Sequence, residues 1–332
     1  MNMKQFGFTL IEMMIALVVS AFVLSGVMFT YISMKVTTSD TLEIGELQES
    51  GRLAMDILRK DIELTGFWGT YYGSTLDAAN VTAPAAPVGD CFEGSNNGSF
   101  PNDPTTNFRY LYGVTTTTSS AINCISSAIK NSDVIQIKHL DGQSISVADS
   151  LSNQFYFMSE YNQGSLSAGT SANIDPLSPN ASLWGYTHNA YYISEQTYSL
   201  GSKSITVPVL MRKRLTANGF TTESIMEGVE NLRFLYGLDI DGDNRVDTYK
   251  TAVQMSDTDW EQTTVNILNV QIFLLIRAFE EDANSTASSK TYVLGGDTEA
   301  NQRKLNFNDK YRRALFVSTI HLLNGGEQGW RM

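Results

Sequence analysis

The stretch Gly7-Phe8-Thr9-Leu10-Ile11-Glu12, followed by Met13-Met14-Ile15-Ala16-Leu17-Val18-Val19-Ser20-Ala21-Phe22-Val23-Leu24-Ser25-Gly26-Val27-Met28-Phe29-Thr30-Tyr31-Ile32-Ser33-Met34, decides how the chain is read. No residue from 13 to 34 is charged. Roughly 22 residues at a rise of about 1.5 Å each make about 33 Å of helix, enough to cross the hydrocarbon core of a bilayer. A secretory signal fits poorly. Lys4 and the α-amino group are the only positive charges ahead of the run, and no small-x-small site stands behind it. The run also exceeds the roughly 7–15 residues of a signal's apolar region.

Glu12 is the anomaly in this stretch. A carboxylate inside a membrane helix costs on the order of 2.5–3.5 kcal/mol, so such an acid is a functional candidate by default. Two readings stand side by side. Either the side chain lies near the helix end and reaches headgroup water, or the acid has a function within the membrane.

Gly7 through Glu12, behind a short leader that carries Lys4, resembles the class III signal of type IV prepilins and pseudopilins. That resemblance implies cleavage by a prepilin peptidase between Gly7 and Phe8, and methylation of the new amino terminus at Phe8. It places Glu12 fifth in the mature chain, where the ammonium of a neighbour's Phe8 could pair with it. A second block is Leu47-Gln48-Glu49-Ser50-Gly51-Arg52-Leu53-Ala54-Met55-Asp56-Ile57-Leu58-Arg59-Lys60-Asp61-Ile62, with Thr65-Gly66-Phe67-Trp68-Gly69 after it. It resembles the region behind the membrane helix in the PilW family of minor pilins, as do residues 228–236 and 311–323. PilW-like chains often place a cysteine soon after the Trp-Gly pair. Here Thr70 follows and the first cysteine is Cys91.

The resemblance implies an α+β, pilin-like fold. A leader at 1–7 and a transmembrane or filament-core helix at 8–34 come first. An amphipathic continuation at 35–66 and a β-rich periplasmic or extracellular head at 67–332 follow. The implied function is a minor pilin that helps initiate a type IV pilus and sits at or near its tip. Its implied partners are other minor and major pilins, the prepilin peptidase, the inner-membrane assembly platform and a tip adhesin. It would stand first in the inner membrane and then in the extracellular pilus. The alternatives are a minor pseudopilin of type II secretion and a pilin-anchored adhesin.

The 332-residue chain carries 35 acidic against 23 basic residues, a net charge of −12. Such a body has no electrostatic footprint for nucleic acid. Cys91 and Cys124 lie in an Asn/Gly/Ser/Thr/Pro-rich region, and in an exported chain pairing is favoured over two free thiols. A bridge across that loop would contribute about 3–4 kcal/mol in the chain-entropy model.

No proline precedes Pro84, so nothing breaks the helix as it leaves the membrane. Leu42, Leu47, Leu53, Ala54, Ile57, Leu58, Ile62 and Leu64 recur at helical spacing and predict one buried face. Gly45 and Gly51 each weaken the helix by about 1 kcal/mol relative to alanine, which predicts flexibility there. Gly66 is a natural stop. Residues 71–131 read as a long surface excursion with one strand at 108–114, and 164–179 as another loop. Strands are predicted at 133–139, 153–158, 190–194, 204–210, 228–237 and 248–253. Residues 264–276 and 313–323 read as central antiparallel strands.

Asp239, Asp241, Asp243 and Asp247 are the metal candidates. Oxygen ligands at alternate positions suit a hard cation such as Ca²⁺, the one candidate cofactor in a chain that requires none. The spacing is not that of an EF-hand, and a solvated acidic turn explains it equally. Enzyme motifs are missing. His139, His188 and His321 are isolated in sequence, with no HExxH, Walker A loop or GxSxG. The expectation is a chain that is not an enzyme.

Overall fold

The computed structural model describes residues 7–73, 76–169, 174, 179–201, 203–282, 286–296 and 298–324. All of the expected leader but Gly7 lies outside them. One helix, α1, runs unbroken over Leu10–Glu63. The chain divides into two compact units, Met1–Gln48 and Glu49–Met332. The boundary falls inside α1, so residues 49–63 belong to the head.

In the first unit the apolar side chains of residues 8–34 are exposed. Phe8, Leu17, Phe22, Leu24 and Phe29 are each more than two-thirds exposed. Hydroxyls within the run are satisfied by their own helix. Ser20 Oγ donates to the Ala16 carbonyl at 2.6 Å and Thr30 Oγ1 to the Gly26 carbonyl at 2.9 Å. Bonds of this kind remove the cost of carrying a hydroxyl into lipid. Leu42, expected on the buried face, is exposed.

The head begins with the buried side of α1. Gly51, Ala54, Leu58, Ile62 and Thr65 fall at helical spacing and are all buried. Leu53, also expected there, is half-exposed, because at about 100° per residue it turns away from the stripe of Gly51, Ala54 and Leu58. The chain leaves the helix through Gly66, whose φ of +78° favours glycine. Phe67 and Trp68 then enter the aromatic core, where the Trp68 ring meets Phe108, Tyr110, Phe157 and Tyr186.

The strands in chain order are β1 (Val81–Thr82), β2 (Leu111–Thr115), β3 (Asp133–Ile145), β4 (Phe155–Ser159), β5 (Gly164–Ala168), β6 (Ser182–Leu200) and β7 (Lys203–Thr216). After them come β8 (Gly219–Glu227), β9 (Val229–Asp239) and β10 (Thr248–Thr251), then a short helix α2 (Asp257–Glu261). The chain closes with β11 (Asn266–Arg277), β12 (Ser288–Leu294), β13 (Arg303–Asp309) and β14 (Arg313–His321). An eight-stranded sheet has the order β1-β5-β4-β6-β3-β2, with β7 on β6 and β8 on β7. Apart from the parallel β1–β5 pair, its ladders are antiparallel. A second sheet runs β10-β9-β11-β14, and β12–β13 form a separate hairpin.

Two expectations are corrected. The loop expected over 164–179 opens with β5, which pairs with β4 across Gly164–Ala168. Its Ser/Gly-rich sequence hides the strand, because the pairing comes from a distant partner. Residues 313–323 were expected as a central strand, but β14 stands at the edge of its sheet and pairs only with β11 among the described residues.

Buried polar clamps join the layers. Asp133, on β3, accepts from Arg303 Nη2 at 2.5 Å and from the Phe234 N–H at 2.9 Å. Arg303 also donates to the Leu232 carbonyl at 3.0 Å, so one ion pair holds β3, β9 and β13 together. With each side chain at most 5% exposed, removing one partner would leave a buried charge alone.

Candidate assembly segment and the head that carries it

Thr9 stands just ahead of the first helical residue, and Glu12 is the third residue in. The Glu12 carboxylate accepts from the Thr9 N–H and from its hydroxyl, each at 2.9 Å, while the Glu12 N–H donates to Thr9 Oγ1 at 3.3 Å. This is a capping box, and Thr9-Leu10-Ile11-Glu12 is its sequence signature. Glu12 thereby satisfies the helix start while no cation lies beside it among the described residues. The Gly7–Phe8 bond precedes the helix, with Phe8 85% exposed and open space where a Gly7 Cβ would be. Gly7, Phe8 and Glu12 therefore cluster at one accessible helix end.

The head grips α1 at two places. A Cβ on Gly51 would lie 2.2 Å from the Phe316 ring, so the glycine is where β14 reaches the helix. The expected flexible point is a packing contact. Within the last turn of the helix, the Asp61 carboxylate accepts from Asn189 Nδ2 at 2.6 Å and the Tyr191 hydroxyl at 2.7 Å. His139 Nε2 lies 3.8 Å away, an ion-pair distance. Burial opposes the Asp61 charge, but His139, Tyr191 and Asn189 outweigh it and hold the carboxyl below its ordinary range.

Cys91 and Cys124 form a disulfide. A buried chain of polar groups that sequence spacing does not reveal surrounds it. Ser99 Oγ donates to Asp90 at 2.5 Å and lies 3.0 Å from His188 Nδ1. His188 Nε2 lies 2.7 Å from Gln136 Nε2, which also donates to the Cys91 carbonyl at 2.7 Å. Because the Gln136 amide nitrogen can only donate to Nε2, while the Ser99 hydroxyl gives its proton to Asp90 and so accepts from Nδ1, the neutral imidazole carries its proton on Nδ1. Burial, and then the Lys138 charge, push the His188 pKa well down. Lys138 is itself fully buried, donating to the carbonyls of Asn97 at 2.8 Å and Arg109 at 2.6 Å. Burial lowers its pKa well below the usual lysine value. The network ties the disulfide loop to β3 and β6.

The acidic turn brings oxygens of Asp239, Asp241 and Asp247 within 4.8 Å of one another, and Asp243 is not in that group. The Asp239 oxygens already accept from the N–H groups of Gly242 at 2.7 Å and Asn244 at 2.9 Å. Asp247 accepts from the Ile240 N–H at 2.7 Å, and Asp243 turns to the Arg245 N–H at 2.8 Å. The carboxylates close the β9–β10 hairpin, with Gly242 and Asn244 at positive φ.

Comparison with known proteins gives two family matches. The Type IV Pilus-assembly protein W model matches residues 190–324, the end of β6 through β14. The Prokaryotic N-terminal methylation motif matches residues 2–28. No curated protein and no solved structure matches the chain. A methylation motif leading an exposed apolar helix, and a head whose later strands match assembly protein W, support a type IV pilin of the PilW family and fit one anchored in the inner membrane by its first helix before it enters the pilus.

Proposed function

We propose that this pilin is a minor subunit that helps to start the filament and stands at or near its tip. The observation that carries the reading is Glu12, an acid at the head of an uncovered apolar helix whose only bonds among the described residues run to its own Thr9. Hydrolysis of the Gly7–Phe8 peptide bond by a prepilin peptidase leaves a carboxylate on Gly7 and an ammonium on Phe8, which is then methylated. That ammonium on one subunit pairs with Glu12 of the next. Each helix trades lipid for neighbouring helices, and the pair fixes their register. Other minor and major pilins, the assembly platform and a tip adhesin are the partners of this reading. A bulky head spanning Glu49–Met332 supports an end position, where a subunit has neighbours on fewer sides.

The role is structural. Asp90, Ser99 and His188 form a chain of acid, hydroxyl and imidazole, but Ser99 and His188 are fully buried and engaged in holding the loop. Mass spectrometry of sheared filaments tests the proposal, with the chain expected to begin at a methylated Phe8. Glu12→Ala is expected to insert and be cleaved normally yet be largely missing from filaments. Its incorporation at the wild-type level would overturn the pairing, and gold label spread evenly along the fibres would overturn the tip position.

A further inference from the structure

The outer edge of β14 has no part in the mechanism above. In its ladder with β11, the Ala278 N–H donates to the Arg312 carbonyl at 2.8 Å and the Leu322 N–H to the Leu268 carbonyl at 2.9 Å. The register between them places Ala314, Phe316, Ser318 and Ile320 at the same kind of position. In an antiparallel ladder the alternate residues, here Leu315, Val317, Thr319 and His321, turn their N–H and C=O groups away from the partner strand. No backbone group meets them among the described residues. Val317 is 56% exposed, and Thr319 and His321 are exposed as well.

Edge strands in soluble heads are shielded by charge, proline, a bulge or a covering segment. Ala314-Leu315-Phe316-Val317-Ser318-Thr319-Ile320-His321 has no acid, lysine, proline or glycine, in a chain of net charge −12. Its ladder with β11 shows no register shift. A row of alternating donors and acceptors is completed by one kind of ligand, an extended polypeptide strand.

We propose that β14 accepts a strand from another subunit of the same filament, extending the sheet across the subunit boundary; this rests on the pilin reading above. The charge pattern selects the occupant. Arg313, the cation that opens the strand, is already paired with Glu230 and Asp309, so the edge has little to offset an acid and, on an otherwise acidic body, fits an uncharged or basic strand with apolar side chains opposite Leu315 and Val317. Phe316 already faces Gly51 of α1, so the added strand leaves the helix contact in place.

The test uses the full-length chain, in detergent and in sheared filaments, with residue-resolved amide exchange. The Val317 and Thr319 amides are expected to exchange about tenfold or more slower in filaments than in detergent. Thr319→Lys is expected to be processed and inserted normally but recovered in filaments about tenfold less than wild type. Ser289→Lys, on the exposed β12 strand, serves as control and is expected to be recovered normally. Equal exchange in both states, or full recovery of Thr319→Lys, overturns the proposal. So does protection already present in detergent, which would mean that the chain's own terminus or a second copy covers the edge. Absence of the wild-type chain from filaments is a separate result, read without any variant, and removes the pilin function together with this inference.

Discussion

The imidazole of His188 is held neutral between Ser99 and Gln136, whereas in the denatured chain it titrates near its ordinary value of about 6.5. The denatured state therefore takes up a proton that the fold refuses. This contribution to stability is complete above about pH 6.5 and falls below it by at most about 1.4 kcal/mol per pH unit. His188→Gln is expected to flatten that acid limb in urea titrations of the detergent-solubilised chain. Asp61 works the other way, since its folded carboxyl lies below the ordinary value. Its stabilisation is present above about pH 4 and is lost as pH falls through the folded pKa. Asp61→Ala leaves the Asn189 and Tyr191 donors unpaired and is expected to cost about 2–4 kcal/mol at pH 7, a gap that closes in strong acid. Neither residue was legible as a pair member in the sequence, because Asp61 and Tyr191, or Ser99 and His188, meet only after strands far apart in the chain have paired.

Two glycines in α1 separate what an element does alone from what packing asks of it. A Cβ on Gly45 would meet nothing within 4 Å, so Gly45→Ala is expected to raise helix stability by about 1 kcal/mol. At Gly51 the same change drives a methyl into the Phe316 ring. Overpacking of about 1–3 kcal/mol then exceeds the gain in propensity, and the head is expected to melt earlier. Circular dichroism melts of the two variants should move in opposite directions. The 3.6-residue pattern made α1 readable to its end, and alternation exposed β3, β9 and β11. Strands β5, β8 and β12 were missed, because their polar, half-exposed sequences carry little period that a single strand can show, whereas β13 alternates through Leu305 and Phe307 over only seven residues and was passed over. Sequence likewise marked 313–323 as a strand, while its edge position depended on which neighbour β11 had already taken.

For the molecule as a whole, the Cys91–Cys124 bridge restrains a loop that contributes little regular structure of its own. The double substitution Cys91→Ser/Cys124→Ser is expected to lower head stability by about 3–4 kcal/mol in the chain-entropy model, seen as an earlier urea midpoint without loss of membrane insertion. The sequence by itself determined the long apolar helix, the acid Glu12 placed just after Gly7-Phe8 at its start, and the resemblance to pilins. These are local facts, written in contiguous residues whose hydrophobicity and spacing act without help from the rest of the fold. Only the tertiary structure decided that Gly51 is a contact point, that Asp133 and Arg303 join separate layers, and that β14 pairs on one side only among the described residues. Each of those depends on residues brought together across long separations, where the partner and not the local sequence sets the outcome.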